Sequence, residues 1–363
     1  MKIRKIGYIL GCLFFVTLFA YSQENKVVWI VLDGVRWQEV FGGADSLLLH
    51  SKKFVYDING MNRRYWRATK EERREALMPF IWDFAVKNGM LIGNRWKGAK
   101  MNVTNGMHFS YPGYSEMLCG FADDERINSN KKFGNPNESL LEVMDRLPDF
   151  EGKVLAFSSW DVFPYILNVE RSKLPVNAGH MHSLRKEPTE RERFLDILQD
   201  EMPRRWGGFR YDAFTYHYAL EAMKKDFPRL IFINFLETDI FPHDGRYDHY
   251  LFSIHNSDRL IRELWEYCQS EPFYKDQTTF IVTVDHGRGN NSSDLEQWRH
   301  HSNTIPGCDE TLILFFGNGV KPLGEVTGDK QYYNNQIAAT VAGIFNIVYR
   351  PEEKKIGDPF PLK

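Results

Sequence analysis

The sequence predicts an α/β fold, with a doubly wound, mostly parallel sheet, helices on both faces and a cap insertion. Apolar, β-branched runs alternate with helical patterns along the chain, which is typical of parallel β-α units. Several runs stop at acidic or histidine residues, and open α/β sheets bind ligands outside the carboxyl ends of their strands. The length of 363 residues and the hydrophobic content of 43% suit one large domain with a substantial core.

The individual elements follow from apolar runs and amphipathic segments. Strands are predicted at Lys26–Leu32 and at residues 154–157, 229–235, 279–284 and 311–316. Helices are predicted at residues 76–88, 138–146 with Asn137 as N-cap, 249–271 closed by Pro272, and 335–345. Residues from about 160 to 228 are richer in charge, aromatic residues, Pro and Gly, so we interpret them as a cap within a single domain of residues 23–363.

Residues 1–22 have the pattern of a signal peptide. A basic start is followed by an apolar stretch at residues 6–19 and by a small-x-small cleavage site ending at Ser22. The stretch is shorter than the ~20 apolar residues of a membrane anchor. Residues 9–12 resemble a lipoprotein box ending in Cys12, but apolar residues continue past it, so cleavage near Ser22 is favoured. The protein is expected to be exported, periplasmic or secreted, without a stable membrane anchor.

Charge and cysteine content exclude some functions and leave others open. The net charge of −2 argues against a nucleic-acid polymer as partner and against general electrostatic binding to membranes. Cys119, Cys268 and Cys308 would remain after cleavage and allow at most one internal disulfide. No CxxC or zinc-finger spacing is present.

Ligand-type residues follow two of the strongest predicted strands. Asp33 follows the first strand, although an Asp-Gly pair alone is more often a turn. Asp285 and His286 end the run before Gly287. Such a pair at a strand end can bind a metal, but by itself it is weak evidence.

Two further segments carry similar residues. Asp239 and His243 are four positions apart after the strand at 229–235, and Pro242 is expected to prevent a regular helix between them. A loop would then fold both side chains onto one ion. The pair His300 and His301 precedes the strand at 311–316.

The combined set is three carboxylates and three imidazoles, which suits two divalent transition metals of the zinc type. Calcium would favour oxygen ligands without histidine. Two metals roughly 3.5–4 Å apart stabilise the attacking and leaving oxygens of a phosphoryl displacement. The set comprises Asp33, Asp239, His243, Asp285, His286 and one of His300 and His301.

A hydroxyl nucleophile is expected beside such a metal pair. Ser110 precedes Pro112 and Gly113, and a helix can run from Tyr114 to Gly120. Ser110 would then lie near a helix N-terminus, where free N–H groups favour an anion. Taken alone, the segment is better explained by simple N-capping by Ser110, and Thr104 is the competing nucleophile.

With these motifs in place, the chain resembles the alkaline phosphatase superfamily and, within it, the nucleotide pyrophosphatase/phosphodiesterase branch. The matches occur in the family order: Asp33 with the first metal aspartate, Ser110 with the Thr/Ser-x-Pro-Asn nucleophile, Asp239 and His243 with Asp-x-x-x-His, Asp285 and His286 with Asp-His-Gly, and His301 with the late histidine. His301 is preferred to His300 because a small polar residue, Ser302, follows it.

The resemblance implies a ligand assignment. One zinc would take Asp239, His243 and His301. The other would take Asp33, Asp285 and His286, and the Ser110 oxygen would approach it. In similar enzymes an Asn shortly after the nucleophile helix binds phosphate, so Asn128 or Asn130 is expected to do so. Arg288 is a further candidate phosphate contact.

Departures from the family pattern leave the branch of the superfamily open. The nucleophile is Ser rather than Thr, and Gly113 replaces the usual Asn. Tyr114 stands where sulfatases carry Arg, which disfavours a sulfatase. The related cofactor-independent phosphoglycerate mutases are typically longer and cytosolic, which disfavours that activity.

The expected function is an exported two-metal hydrolase of small-molecule phosphoric esters, acting through a phosphoseryl intermediate. The alternatives are a sulfatase-like or mutase-like member of the superfamily and a catalytically inactive binding protein. Monoesterase and diesterase remain open. The predicted cap offers cations for the first at Arg171, Lys173 and Arg185, and aromatic residues for the second at Trp160, Phe163 and Tyr165.

Overall fold

A computed structural model describes residues 24–351 and 354–363. The predicted signal peptide, including Cys12, lies outside these residues. The strands are β1 Lys26–Leu32, β2 Gly89–Ile92, β3 Ala99–Asn102, β4 Val154–Ser158, β5 Val176–Ala178, β6 Leu230–Phe235, β7 Thr278–Thr283, β8 Ile313–Gly317, β9 Gly324–Glu325 and β10 Lys330–Tyr333.

The helices surround this framework. They are α1 Trp37–Gly42, α2 Ser46–Leu49, α3 Ile58–Tyr65, α4 Lys70–Leu77, α5 Ser110–Cys119, α6 Leu140–Asp145, α7 Phe163–Ile166, α8 Val169–Ser172, α9 Glu190–Glu201, α10 Asp212–Asp226, α11 Glu237–His243, α12 Tyr247–Ser270 and α13 Ile337–Ile344. Within the described ranges, no helix combines the length and apolarity needed to cross a membrane.

The predicted fold class is confirmed. Eight strands form one sheet in the order β5-β4-β6-β1-β7-β8-β2-β9, and β3 pairs with β10 in a small second sheet. The strands β5, β4, β6, β1 and β7 run parallel, whereas β8 is antiparallel to both β7 and β2. The sheet is therefore mostly parallel, with β1 at its centre.

The core lies on both faces of the sheet because alternate residues of each strand point to opposite sides. Val28, Ile30 and Leu32 of β1 pack into one apolar cluster, while Val27 and Trp29 pack into the other. β1 is buried along its whole length. A strand covered on both faces is uniformly apolar, and this explains the unbroken run in the sequence.

The helix predicted at residues 76–88 is wrong in its bounds. α4 ends at Leu77, and a single π-helical turn follows at Ile81–Ala85. Pro79 lacks a backbone N–H and disfavours helical backbone in the residue before it. The carboxylate of Asp258 then accepts hydrogen bonds from the backbone N–H groups of Phe80 and Ile81, at 2.9 and 2.8 Å.

The helix predicted at residues 138–146 is shorter than expected. It begins at Leu140, and its N-cap is Ser139, whose hydroxyl accepts the backbone N–H of Glu142 at 3.2 Å. The expected cap, Asn137, instead accepts a hydrogen bond from Arg126 and donates one to Asp123. The prediction of Asn137 as N-cap is therefore wrong.

The region predicted as a cap contains α7 to α10 and the edge strand β5. Trp160 at its start is joined to Phe209, which precedes α10, by an isolated bridge between their backbones. Its role as a cap stays a prediction. The cysteine question is answered for the described residues: Cys119, Cys268 and Cys308 are all buried and free.

Candidate metal centre

Three neighbouring parallel strands deliver the predicted ligands to one edge of the sheet. β1 lies between β6 and β7, so the carboxyl ends of the three strands meet. Asp33 directly follows β1, α11 follows β6, and Asp285 comes two residues after β7. Residues far apart in sequence therefore share one site, as expected for ligand-binding loops of an α/β sheet.

The loop predicted between Asp239 and His243 is instead a helix, α11, with Pro242 inside it. Pro is tolerated because the helix has only seven residues and ends one residue later, so few helical hydrogen bonds are lost. A spacing of four places both side chains on one helical face. Nε2 of His243 lies 3.3 Å from Oδ2 of Asp239.

The first ligand cluster comprises Asp33, Asp285 and His286, all fully buried. Nε2 of His286 lies 3.4 Å from Oδ1 of Asp33 and 3.4 Å from Oδ2 of Asp285. Neither of these carboxylate oxygens has a hydrogen-bond partner. The other oxygen of each group is bound, Asp33 by the Tyr114 hydroxyl at 2.7 Å and Asp285 by the Gly34 backbone N–H at 3.1 Å.

The second ligand cluster comprises Asp239, His243 and His301. The Nε2 atoms of the two histidines lie 3.0 Å apart, and Nε2 of His301 lies 3.5 Å from Oδ1 of Asp239. The rings of His286 and His301 stack with their centroids 4.0 Å apart. The two clusters are thus adjacent, and His286 also groups with Asp239 and His301 at ligand distances.

The buried carboxylates of the site repel one another, and a bound cation would stabilise their charged forms. Burial, and next the charge of Asp239, raises the pKa of Asp33; burial and the charge of Asp33 raise the pKa of Asp285. Burial opposes a charge on His286, but Asp285 and Asp33 raise its pKa to about 9. Carboxylates crowded into a buried space repel one another, and a divalent cation relieves that repulsion.

The donor atoms fit divalent metal ions. Nδ1 of His286 is 2.8 Å from the backbone oxygen of Gly287, which fixes the tautomer and leaves Nε2 as the ligand atom. The unpartnered oxygens of Asp33 and Asp285 face that atom. A mixed set of imidazole and carboxylate ligands suits zinc-type metals. The carboxylates approach Nε2 rather than Nδ1, which is not the arrangement of a Ser-His-Asp triad.

Ser110 is brought to the first cluster by α5. Its Oγ lies 3.3 Å from Nε2 of His286, and the residue is buried at the first position of the helix. The N-cap position is held by Phe109, so Ser110 is not the cap. A Cβ atom at Gly113 would lie 2.4 Å from the backbone oxygen of Asp285. The glycine that replaces the usual Asn is therefore what lets α5 approach the strand end.

The competing candidates lie elsewhere. Thr104 is exposed, and its backbone N–H bonds the carboxylate of Glu116. His300 is exposed at the rim of the cleft, with its ring centroid 6.1 Å from that of His243. The structure thus brings Ser110 and His301 to the clusters and leaves Thr104 and His300 outside them.

Of the three predicted phosphate contacts, only Asn130 lines the cleft. Oδ1 of Asn130 accepts the backbone N–H of Tyr111 at 2.9 Å, next to Ser110, and Asn130 lines the cleft. The amide of Asn128 donates to the backbone oxygen of Glu125 in a local turn. Arg288 is fully buried.

The guanidinium of Arg288 is held behind the second cluster. It pairs with Oδ1 of Asp239 and donates to the backbone oxygens of Asp239 and Arg299, each at 2.8 Å. Burial would raise the pKa of Asp239, but the charge of Arg288, followed by His243 and His301, lowers it well below its usual range. In this position Arg288 orients a ligand rather than facing the cleft.

Two residues that sequence reasoning missed orient Asp33. The hydroxyl of Tyr114 donates to Asp33, and the side-chain amide of Asn234 donates to the same hydroxyl. Tyr114 is four positions after Ser110 on α5, and this helical spacing is the one signal that could have revealed it. Asn234, a polar residue inside the apolar run of β6, was visible in the sequence but had no assigned partner.

A cleft of about 450 Å³ opens beside Ser110 and the second ligand cluster. Its aromatic side chains, which we call the aromatic wall, are Trp160, Trp206 and Phe209. Its lining comprises Ser110, Asn130, Trp160, Trp206, Phe209, Leu236, Asp239, Ile240, His243, Asp244, His300 and His301. Among these described residues none is Lys or Arg, so the cleft outside the ligands is apolar or neutral polar with one acidic group, Asp244.

The fold and the paired clusters of candidate ligands are compatible with a metal-binding α/β protein. A family model described as "Metalloenzyme superfamily" matches residues 212–348, which include Asp239, His243, Asp285, His286 and His301. A segment of 91 residues is 29% identical to the 2,3-bisphosphoglycerate-independent phosphoglycerate mutase of Gracilaria tenuistipitata var. liui. This segment covers 24% of the chain and spans 17% of the length of that curated relative.

Solved structures share the fold over most of the chain. The alkaline phosphatase PafA is 11% identical with a TM-score of 0.58, covering 93% of this chain and 98% of its own. The phosphonate monoester hydrolase SpPMH from Silicibacter pomeroyi is 12% identical with a TM-score of 0.53, covering 89% and 73%. A putative sulfatase from Bacteroides thetaiotaomicron is 11% identical with a TM-score of 0.54, covering 91% and 72%.

These findings agree with the resemblance that the motifs suggested. The match to a metalloenzyme superfamily covers residues 212–348, and solved structures of an alkaline phosphatase, a phosphonate monoester hydrolase and a putative sulfatase share the fold. The metalloenzyme match implies divalent metal ions.

Proposed function

We propose that this protein is a two-metal hydrolase of phosphoric diesters, with Ser110 as nucleophile. One observation carries the proposal. Oγ of Ser110 lies 3.3 Å from Nε2 of His286. The unpartnered oxygens of Asp33 and Asp285 each lie 3.4 Å from the same nitrogen. A hydroxyl at the meeting point of buried metal ligands is suited to attack a phosphorus atom.

Two ions, of the zinc type, would be held by the two clusters, one by Asp33, Asp285 and His286, the other by Asp239, His243 and His301. When bound, they supply Lewis-acid stabilisation of oxygens that gain negative charge. In the first step the Ser110 hydroxyl gives its proton to solvent, Oγ bonds to phosphorus, the bond from phosphorus to the leaving oxygen breaks, and that oxygen takes a proton from solvent to leave as the alcohol. In the second step a water oxygen bonds to phosphorus, the bond from phosphorus to Oγ breaks, and a proton from that water returns to Oγ.

The chain's own residues position the substrate. Ser110 is the first residue of α5, and Oδ1 of Asn130 anchors this end of the helix by accepting the backbone N–H of Tyr111. Asn130 also lines the cleft, and its side-chain N–H groups are suited to contact a non-bridging phosphate oxygen. Tyr114 holds Asp33, and Arg288 holds Asp239, so both carboxylates are oriented before substrate binds.

The aromatic wall supports a diester rather than a monoester. A monoester carries an extra negative charge that Lys or Arg normally neutralises, and the cleft lining has neither. Arg171 pairs with Glu142, and Arg185 pairs with Glu192 and Asp226. A second ester group fits against Trp160, Trp206 and Phe209.

A mutase is the second candidate, because one segment resembles a phosphoglycerate mutase. Such an enzyme returns the phosphoryl group from Ser110 to a hydroxyl of the substrate instead of to water. Its substrate is strongly anionic, and a cleft without Lys or Arg gives that charge no partner. Conversion of 3-phosphoglycerate to 2-phosphoglycerate without release of phosphate would favour the mutase.

The decisive experiment compares Ser110→Ala with Thr104→Ala in zinc-loaded protein. Turnover of bis-p-nitrophenyl phosphate should fall by more than about 10³-fold in Ser110→Ala, as for loss of a nucleophile, and stay within about twofold in Thr104→Ala. Bound zinc, counted by elemental analysis, should stay near two per chain in both. Full activity in Ser110→Ala, or one zinc in fully active protein, contradicts the proposal. Wild type should also prefer this diester to p-nitrophenyl phosphate.

We further propose that the protein acts outside the cytoplasm, because residues 1–22 have the pattern of a signal peptide. The mature N-terminus should then be Gln23. N-terminal sequencing of the protein from its native host tests this, and an intact Met1 in the cytoplasmic fraction would contradict it.

A further inference from the structure

An apolar groove of about 820 Å³ lies on the far side of α11 from the metal centre. Side chains of α3, α9, α10, α11 and α12 form its walls. The apolar and aromatic members of its lining are Met61, Leu195, Leu198, Met202, Tyr211, Ala213, Phe214, Phe241 and Phe252. A volume of this size can hold a drug-sized or chain-like organic ligand.

The groove and the cleft share α11. Phe241 faces the groove, whereas Asp239 and His243 face the cleft. Phe241 is two positions from each ligand, and about 200° of helical rotation therefore separates their side chains. One short helix thus presents metal ligands on one face and an apolar wall on the other.

The partition between the two spaces is one aromatic layer thick. Trp206 lines the cleft, and its ring meets the edge of Phe241 with the centroids 5.6 Å apart. Beside them Arg205 pairs with Asp244 at 3.0 Å, and both of these side chains are partly exposed. These side chains form the rim between the cleft and the groove.

The groove favours an uncharged occupant. Three of its charged lining residues are ion-paired: Arg205 with Asp244, Arg259 with Glu263, and Asp248 with Arg246. Two further charged residues line it, Arg64 and the buried Glu237, whose carboxylate accepts the backbone N–H of Asp212 at 3.0 Å. At the mouth, Phe252 is 48% exposed and Met202 is 41% exposed. Exposed apolar side chains that border an apolar groove are typical of a binding surface.

We propose that the groove binds the alkyl chain of an amphiphilic phosphodiester whose phosphate lies at Ser110. This substrate class rests on the proposed function and extends it. The alkyl chain leaves the phosphate along the aromatic wall, crosses the rim at Trp206 and is buried against Phe241, Leu198 and Phe252. The other ester group is the leaving alcohol.

The first test measures binding without turnover. Zinc-loaded Ser110→Ala protein is titrated with ethyl methyl phosphate and with octyl methyl phosphate by calorimetry. Burial of six additional methylene groups should tighten binding of the octyl ester by at least about tenfold. Equal affinity for the two esters would overturn the proposal.

The second test places the chain in the groove. In the same background, Phe252→Glu adds a charge to the groove mouth, and Ala213→Trp fills the groove; either should reduce the octyl advantage to below about threefold. The matched control is Phe194→Glu, because Phe194 is 58% exposed on α9 and does not line the groove. The control should retain the advantage. The proposal would be overturned if Phe194→Glu also lost the tighter binding of the octyl ester, or if neither groove variant lost it.

Turnover separates this proposal from the function on which it rests. Wild type should hydrolyse octyl p-nitrophenyl phosphate with a kcat/KM at least about tenfold above that of the ethyl ester. Hydrolysis of both at equal rates overturns the alkyl-chain assignment and leaves the phosphodiesterase intact. Hydrolysis of neither, with groove-dependent octyl binding, overturns the phosphodiesterase and the substrate assignment with it. A dimer that Phe252→Glu dissociates, without change in octyl binding, assigns the groove to a second copy and overturns the proposal.

Discussion

Each carboxylate of the metal centre has a partner that binds one of its two oxygens and leaves the other oxygen available to an ion. Asp33 is bound through Oδ2 by Tyr114, and Asp285 through Oδ1 by the backbone of Gly34, so the remaining oxygens face His286. Arg288 does the same for Asp239. The candidate ligands could be proposed from the residue types, whereas the partners that hold them could not, because these come from other elements.

Removal of the Tyr114 hydroxyl should weaken metal binding. In Tyr114→Phe, Asp33 loses its orienting hydrogen bond, and zinc affinity should fall by about 10- to 100-fold, as is typical for partners of metal ligands. Tyr111→Phe is the control, because the Tyr111 hydroxyl on the same helix bonds the backbone of Phe133 at 2.7 Å. Competition with a fluorescent chelator measures both, and equal affinities in the two variants would contradict the role of Tyr114.

At the scale of elements, the site depends on how closely helices approach strand ends. α5 packs against the end of β7 so tightly that Gly113 has no room for a side chain. α11 places its two ligands on one face even though Pro242 lies inside it. The sequence indicated a loop there because the rule against Pro in helices applies to longer helices, where more hydrogen bonds are lost.

A methyl group at Gly113 should displace α5. The added Cβ of Gly113→Ala meets backbone rather than a movable side chain, so we expect unfolding to require about 1–3 kcal/mol less free energy. Diesterase activity should fall further, because Ser110 moves with the helix. Gly343→Ala is the control: no atom lies within 4 Å of its Cβ position on α13, and the change should stabilise by up to about 1 kcal/mol. Urea denaturation and turnover measure both, and unchanged values for Gly113→Ala would contradict the close approach.

For the whole molecule, the metal centre is a place where folding concentrates negative charge. Asp33, Asp239 and Asp285 come from three segments that meet only when the sheet forms. Among residues 24–351 and 354–363, Arg288 and the histidines offset that charge within the site. Metal binding and folding should therefore be coupled.

Removal of metal should lower thermal stability. Zinc at 100 times its dissociation constant should add about 2.7 kcal/mol to the free energy of unfolding, provided that the unfolded chain does not bind it. Calorimetry of zinc-loaded and EDTA-treated protein measures the difference as a shift of Tm. Calcium at the same concentration is the control ion, because it disfavours histidine ligands. Equal Tm values with zinc and EDTA would contradict the metal centre.

The sequence by itself determined the fold class, the central strands and the types of ligand, because buried parallel strands are continuous apolar runs and their ends are marked by Asp and His. It left open Ser110 against Thr104 and His301 against His300, since each pair has the same chemistry at nearby positions. Only the tertiary structure placed one member of each pair beside His286 or His243. It alone also decided that Tyr114 holds Asp33, that Gly113 admits α5, and that an apolar groove lies behind α11. These features arise from contacts between segments distant in sequence, which local patterns do not encode.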